Sequence, residues 1–309
     1  MRKLIITLLS LVMIALLATI AFGYGSFDPR VYYGYNNVRY KIDNSSYEVQ
    51  VYMMNPYTES IACVVDSSRK NLENFTLKDK KIIAATNGSA FDDEHSFLGI
   101  YWKKEGSETW LHGSKVSGPN DSKIDAALRS DSHFFPSFCI KTDGSANIRW
   151  FNNCNELNVA VKYCDYIVPV CHPLVYEGDS VFESIKTDTY DNRFKIAPSW
   201  DELKKAAKEK KGKLDGYRFN DFILEFSATV KKHRTLLGHK RNGAYILVTT
   251  DPMNLRDAAK LMVDLDCDFA VNLDGGKSKQ MRYNGKRVSS LPDWPVINKI
   301  GSAIVIYEK

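Results

Sequence analysis

Residues 234 to 274 spell a strand, a tight turn, a second strand, a helix and a third strand with almost no slack, and few architectures accept such a run. In "RTLLGHKRNGAYILVTTD" two apolar stretches flank Asn242-Gly243, a pair suited to the positive φ of a two-residue hairpin turn. Asn254 is placed to cap a helix in which Leu255, Ala258, Ala259, Met262 and Leu265 recur at helical spacing, and that helix feeds the strand "FAVNL". Further short strands are expected in "YEVQVYMMNP", "SIACVVD", "KKIIAATNGSAFDD", "LGIYWKKEG", "SFCIKTDGSANIRWF", "YIVPVCHPLVYEGDSV", "QMRYNGKRV" and "IGSAIVIYE", each bounded by Gly, Pro or Asp turns. The expected class is α+β, a mixed, strand-rich sheet core with a few flanking helices and an inserted helical segment.

The N-terminus has a separate job. "MRKLIITLLSLVMIALLATIAFG" places Arg2 and Lys3 before an unbroken apolar run to Phe22, the pattern of an export signal. Ala21 and Gly23 suit cleavage before Tyr24, while the run is also long enough for an uncleaved anchor, which takes about 20 apolar residues. The chain therefore divides into 1–23 as signal peptide or anchor, 24–45 as a polar, Tyr-rich extension, and 46–309 as one domain with an insertion at about 182–232. Within that insertion Ser199 is placed to cap the helix "WDELKKAAKEKKG". The expected location is secreted or in the cell envelope, with membrane contact only through an uncleaved N-terminal segment.

The net charge of +5 is weakly basic, and much of the excess is concentrated in "KKAAKEKKGK" (204–213) and "KKHR" (231–234) rather than on a face interleaved with aromatics. A solvated helix surface accounts for the first run, and nucleic acid is not an expected partner. Six cysteines, Cys63, Cys139, Cys154, Cys164, Cys171 and Cys267, match no zinc spacing; in an exported chain they point to one or two structural bridges in the region of the three between 154 and 171.

Three carboxylates, Asp92, Asp251 and Asp274, each follow an expected strand, and two of them lie near glycine. A strand end holds a carboxylate rigidly at a pocket's edge, as acid, base or nucleophile work requires, although Asp is equally a common turn residue. Gly275 and Gly276 serve a turn, or leave backbone N–H groups bare for an anion that Lys277 and Ser278 would also suit. Asn87-Gly88 ends another strand, and Arg234-Thr235 begins one, with the Arg fork suited to phosphate and a surface ion pair as its ordinary alternative. There is no His-x-x-x-His pair, no Gly-x-Ser-x-Gly elbow and no phosphate loop. No cofactor is required that the sequence shows; "DTYDN" (188–192) offers oxygen ligands to a divalent cation such as calcium, against the commoner reading as a solvated loop.

Taken together, "ATNGSAFD" (85–92), "PLVYEG" (173–178), the hairpin 234–251, "NLRDAAKLMVDLDCDFAVNLDGGKSKQM" (254–281) and the closing "VINKIGSAIVI" resemble, in order and spacing, the phosphodiester glycosidase domain family, the N-acetylglucosamine-1-phosphodiester alpha-N-acetylglucosaminidase-like proteins. The resemblance spans about residues 46 to 308 and is most specific in its last two blocks. It implies hydrolysis of a sugar 1-phosphodiester, with an N-acetylhexosamine as the expected sugar and a small phosphodiester or a phosphate-containing glycopolymer as the partner. Asp274 is then the expected catalytic nucleophile or base, with Asp92 or Asp251 as its partner. Arg234, Thr235 and the 275–278 segment would bind phosphate, while Asn87, Gly88 and Asn272 would orient the sugar. The chain departs from the family pattern at Lys277, Lys279 and Gln280 in the glycine-rich motif and at Ser89 in the first one. A side chain at Lys277 or Ser89 would narrow the pocket, so a non-catalytic domain binding carbohydrate or an envelope polymer is the rival expectation. A hydrolase of teichoic-acid-like polymers is a third.

Overall fold

The computed structural model of the 309-residue chain describes residues 32–91, 95–129, 136–151, 153–182, 231–289 and 298–309. The apolar N-terminal segment, Asp92, "DTYDN" and the helix expected after Ser199 lie outside those residues. In chain order the described strands are β1 (Gly34–Ile42), β2 (Ser45–Met53), β3 (Glu59–Lys70), β4 (Ile82–Asn87), β5 (Ile100–Lys103), β6 (Glu108–Leu111), β7 (Ser114–Val116), β8 (Ser137–Lys141), β9 (Ala146–Arg149), β10 (Cys164–Pro169), β11 (His172–Tyr176), β12 (Asp179–Ser180), β13 (Lys232–Lys240), β14 (Tyr245–Met253), β15 (Cys267–Asn272), β16 (Met281–Tyr283), β17 (Lys286–Arg287) and β18 (Ile300–Glu308). The helices are α1 (Ser122–Arg129), α2 (Cys154–Ala160) and α3 (Leu255–Asp264).

The strands form three antiparallel sheets, ordered β1-β2-β14-β13-β15-β11-β12, β7-β6-β5-β10-β8-β9 and β17-β16-β4-β18-β3. Period-two alternation explains how the central strands serve two cores at once. In β13 and β14, Leu236, Ile246 and Val248 face one core, while Leu237 and Leu247 face the other. The first core lies under α3, whose Leu255, Ala258, Ala259, Leu261 and Met262 cover the seven-stranded sheet. The second joins all three sheets through residues such as Leu247, Val271, Phe138, Val168, Ile304 and Ile306. Burying a Leu, Ile or Val side chain in this way contributes roughly 1.5–3 kcal/mol.

The hairpin and helix follow local chemistry. Gly243 takes φ +85° in the turn, and the Lys240 N–H donates to Ala244 O at 2.9 Å. The Asn254 side chain accepts from the Asp257 N–H at 2.8 Å, capping α3. Gly238 on β13 is needed for the helix to close on the sheet: a Cβ there would come within 2.6 Å of both Cys267 Sγ and Met262 Cε.

Two features differ from the sequence expectation. The seven-stranded sheet begins at Gly34, inside the stretch read as an extension, because β1 pairs with β2 along its whole length and Tyr40 donates to the Asp264 carboxylate of α3 at 2.8 Å. The bridges expected among Cys154, Cys164 and Cys171 are not formed. None of the six cysteines is in a disulfide. Cys164 instead hydrogen-bonds Cys139 on the neighbouring strand, whereas Cys171 belongs to a different part of the fold, beside Asp274.

Candidate active site

Asp274 lies where the chain leaves one sheet for another. β15 belongs to the seven-stranded sheet, β16 to the five-stranded one, and residues 273–280 cross between them with a single helical turn at Gly276–Ser278. Strand ends from both sheets meet this crossover: β4 brings Asn87 and Gly88, β13 brings Arg234 and Thr235, and β11 brings His172, paired across the sheet with Asn272.

One buried side chain ties these elements together. Asn87 Nδ2 donates to Asp274 O at 2.8 Å, while its Oδ1 accepts from Thr235 Oγ1 at 2.8 Å and from the Gln280 N–H at 3.0 Å. The backbone adds an Asp274 N–H to Gly88 O bond at 3.1 Å and a Leu273 N–H to Thr235 O bond at 2.8 Å. Both ends of the crossover are thereby fixed to β4 and β13.

The glycines of the crossover have separate causes. A Cβ at Gly275 would stand 2.5 Å from His233 O, so the crossover can lie against β13 only without one; Gly276 occupies the left-handed region at φ +58°. Replacing Gly275 with Ala is therefore expected to displace the crossover at a cost of about 1–3 kcal/mol, measured as a lowered Tm together with lost turnover. Wild-type values in both would show that the close approach is unimportant.

Asp274 is half-buried, and its carboxyl is raised to about 6, because burial penalises its charge more than the Ser278 hydroxyl, the Gly275 N–H (2.8 Å to Oδ1) and the Lys232 charge favour it. Arg234 is 3 % exposed, its Nε donating to Met253 O at 2.9 Å, and burial lowers it to about 10. That still leaves it a cation at neutral pH. Cys171 is close enough to both Asp274 and Arg234 to feel their charges, and burial pushes its thiol up. His172 is held neutral near physiological pH, lowered to about 4 by burial; its Nδ1 hydrogen-bonds Pro173 O and its ring stacks on Phe182 at 5.7 Å. Asn272 Oδ1 is buried with no hydrogen-bond partner among the described residues.

The structure thus brings together Asn87, Gly88, Arg234, Thr235, Asn272, Asp274, Gly275, Gly276 and Ser278. It places others apart. Asp251 is on β14, separated from β15 by β13, and its Oδ2 accepts from the Glu48 N–H at 3.3 Å, on the side facing β2. Lys277 is exposed. Ser89 donates its hydroxyl to Pro169 O at 2.5 Å and its N–H to Ser302 Oγ at 2.9 Å, so its side chain is absorbed by the scaffold. The lysine that is buried is Lys279, at 0 % exposure, with Nζ donating to Thr250 O at 3.3 Å. Cys171 and His172 were not expected at the site, since nothing in their local sequence marks a strand-end residue as inward facing, and Lys279 stood out in the sequence only as a departure from the family motif.

The family model described as phosphodiester glycosidase matches residues 80–307. No curated protein matches the chain. Among solved structures, the catalytic domain of zebrafish N-acetylglucosamine-1-phosphodiester alpha-N-acetylglucosaminidase, auto-inhibited by its pro-peptide, is similar at a TM-score of 0.57 and 20 % identity, over 89 % of this chain and 83 % of that one. A hypothetical protein from Synechocystis is similar at a TM-score of 0.52 and 12 % identity, over 89 % of this chain and 62 % of its own length. At these identities the likeness is one of fold.

Proposed function

This chain belongs to the phosphodiester glycosidase family, and from that membership we propose that it hydrolyses the bond between the anomeric carbon of a sugar, an N-acetylhexosamine, and a phosphodiester. The observation that carries the reading is the half-buried Asp274 carboxylate, fixed by the Gly275 N–H and Ser278 in a site that the buried Arg234 shares. A carboxylate so held is ionised above pH 6 yet poorly hydrated, which suits attack on an electron-poor anomeric carbon or activation of a water beside it. The departing group is a phosphate monoester, already a stable anion, so the site needs less general-acid help than a glycosidase cleaving an alkyl glycoside. The buried Arg234 guanidinium supports stabilisation of that anion as charge builds on its oxygens. Asn272 Oδ1 is an acceptor suited to a sugar hydroxyl or an acetamido N–H.

In this scheme Asn87 and Thr235 position the crossover rather than touch the sugar, since their hydrogen bonds are made within the protein. Asp92 is left as the candidate partner of Asp274. The apolar N-terminal segment supports action outside the cytoplasm, on a sugar phosphodiester or a phosphate-containing glycopolymer.

Purified protein is expected to release free sugar from at least one member of a panel of sugar 1-phosphodiesters. Saturable sugar binding with no turnover across the panel would defeat the reading in favour of a binding domain. With an active substrate, kcat/KM is expected to rise about tenfold per pH unit below pH 6 and to level off above it, as Asp274 ionises. A profile flat from pH 4 to pH 7 would remove Asp274 from the role of base or nucleophile.

A further inference from the structure

Two cationic side chains are almost wholly buried among the described residues, Arg234 and Lys279, and both are anchored on backbone carbonyls of β14. Arg234 Nε donates to Met253 O at 2.9 Å, and Lys279 Nζ donates to Thr250 O at 3.3 Å. Arg234 is itself the cross-strand partner of Thr250, so the two anchors belong to one corner of the site. Lys279 reaches it from the far end of the crossover that begins at Asp274; its own N–H closes the helical turn on Gly276 O at 3.2 Å.

Lys279 carries more hydrogen-bonding capacity than the protein uses. An ammonium has three donors, and the one hydrogen bond its Nζ makes among the described residues is the bond to Thr250 O. The Asp251 charge favours its protonated form, but the two do not approach as an ion pair, and burial lowers Lys279 to about 8. At neutral pH it therefore remains mainly cationic. A buried cation with one neutral partner is costly, and such a group is retained where a ligand supplies the missing counter-charge.

We infer that Lys279 is a specificity-determining residue of the proposed phosphodiester site, selecting ligands whose phosphate remains anionic over neutral glycosides. This rests on the site reading given above, and it explains a departure from the family motif through Lys279 rather than through the exposed Lys277.

Two probes test it, inorganic phosphate in calorimetry and a sugar 1-phosphodiester in steady-state kinetics, with wild type, Lys279→Met and Lys279→Gln compared after circular dichroism has confirmed folding. The expected result is a phosphate Kd and a substrate KM raised about ten- to a hundredfold in both variants, the loss of one charge-assisted contact, with kcat within about threefold. Phosphate Kd and KM unchanged in either folded variant would overturn the inference and leave the proposed hydrolysis intact. Phosphate binding that depends on Lys279 in a protein that turns over no sugar phosphodiester would sustain the inference and count against hydrolysis.

Discussion

Replacing Asp274 with Asn is expected to lower kcat by about 10³-fold or more while raising thermal stability above pH 6. The loss follows from removing the one ionisable carboxylate that the crossover presents to the site. Asn keeps the shape and the acceptor for the Gly275 N–H but supplies no charge and no proton acceptor. The gain in stability follows from linkage. The folded protein holds Asp274 at about 6, above the ordinary 3.8 of an Asp, so it binds that proton more tightly than the unfolded chain does. The resulting stability is complete below pH 3.8 and is lost as pH rises through 6. At pH 7 the wild type therefore carries a penalty of about 3 kcal/mol that a neutral Asn does not. Tm measured from pH 4 to pH 8 should show the variant gaining on the wild type with increasing pH. Equal Tm values at pH 8, or undiminished turnover, would contradict the placement of a desolvated catalytic carboxylate at this position.

Replacing Asn87 with Ala is expected to cost about 3–5 kcal/mol and to abolish turnover with it. The side chain makes three hydrogen bonds in a fully buried position, and its removal leaves Thr235 Oγ1, the Gln280 N–H and Asp274 O without those partners. A buried polar group that loses its partner costs about 1–3 kcal/mol, so the losses accumulate. They fall on the two ends of the segment that carries Asp274, which links the stability effect to the chemistry. Chemical denaturation gives the first quantity and a sugar-release assay the second. A variant within about 1 kcal/mol of wild type would show that water replaces the amide and that Asn87 does not hold the crossover.

The expectations that held are those written in local chemistry. Gly243 encodes the turn of its hairpin because few residues accept positive φ, and Asn254 encodes the start of α3 because its side-chain carbonyl can take an orphan N–H. Alternation along β13 and β14 follows from the two-residue period of a strand. The expectations that failed depended on three-dimensional neighbours. The cysteines between 154 and 171 are close in sequence, but Cys171 follows its strand to Asp274 while Cys164 meets Cys139. Lys277 stands nearer the motif glycines than Lys279 and looked like the residue that alters the pocket, yet the Gly276–Ser278 turn points the first outward and brings the second inside.

The sequence by itself determined the family, most of the strands and the positions at which Asp274, Arg234, Asn87 and Asn272 had to lie at strand ends, because hydrophobic period, capping and turn chemistry act within a few residues. Only the tertiary structure decided what those strand ends face. The chain crosses between two sheets at residues 273–280, and contacts there join residues separated by as much as 193 positions, as Gln280 is from Asn87. Burial of a charge is a property of everything packed around it, so the desolvation that raises Asp274 and leaves Lys279 with one carbonyl partner could be fixed only once the sheets had come together.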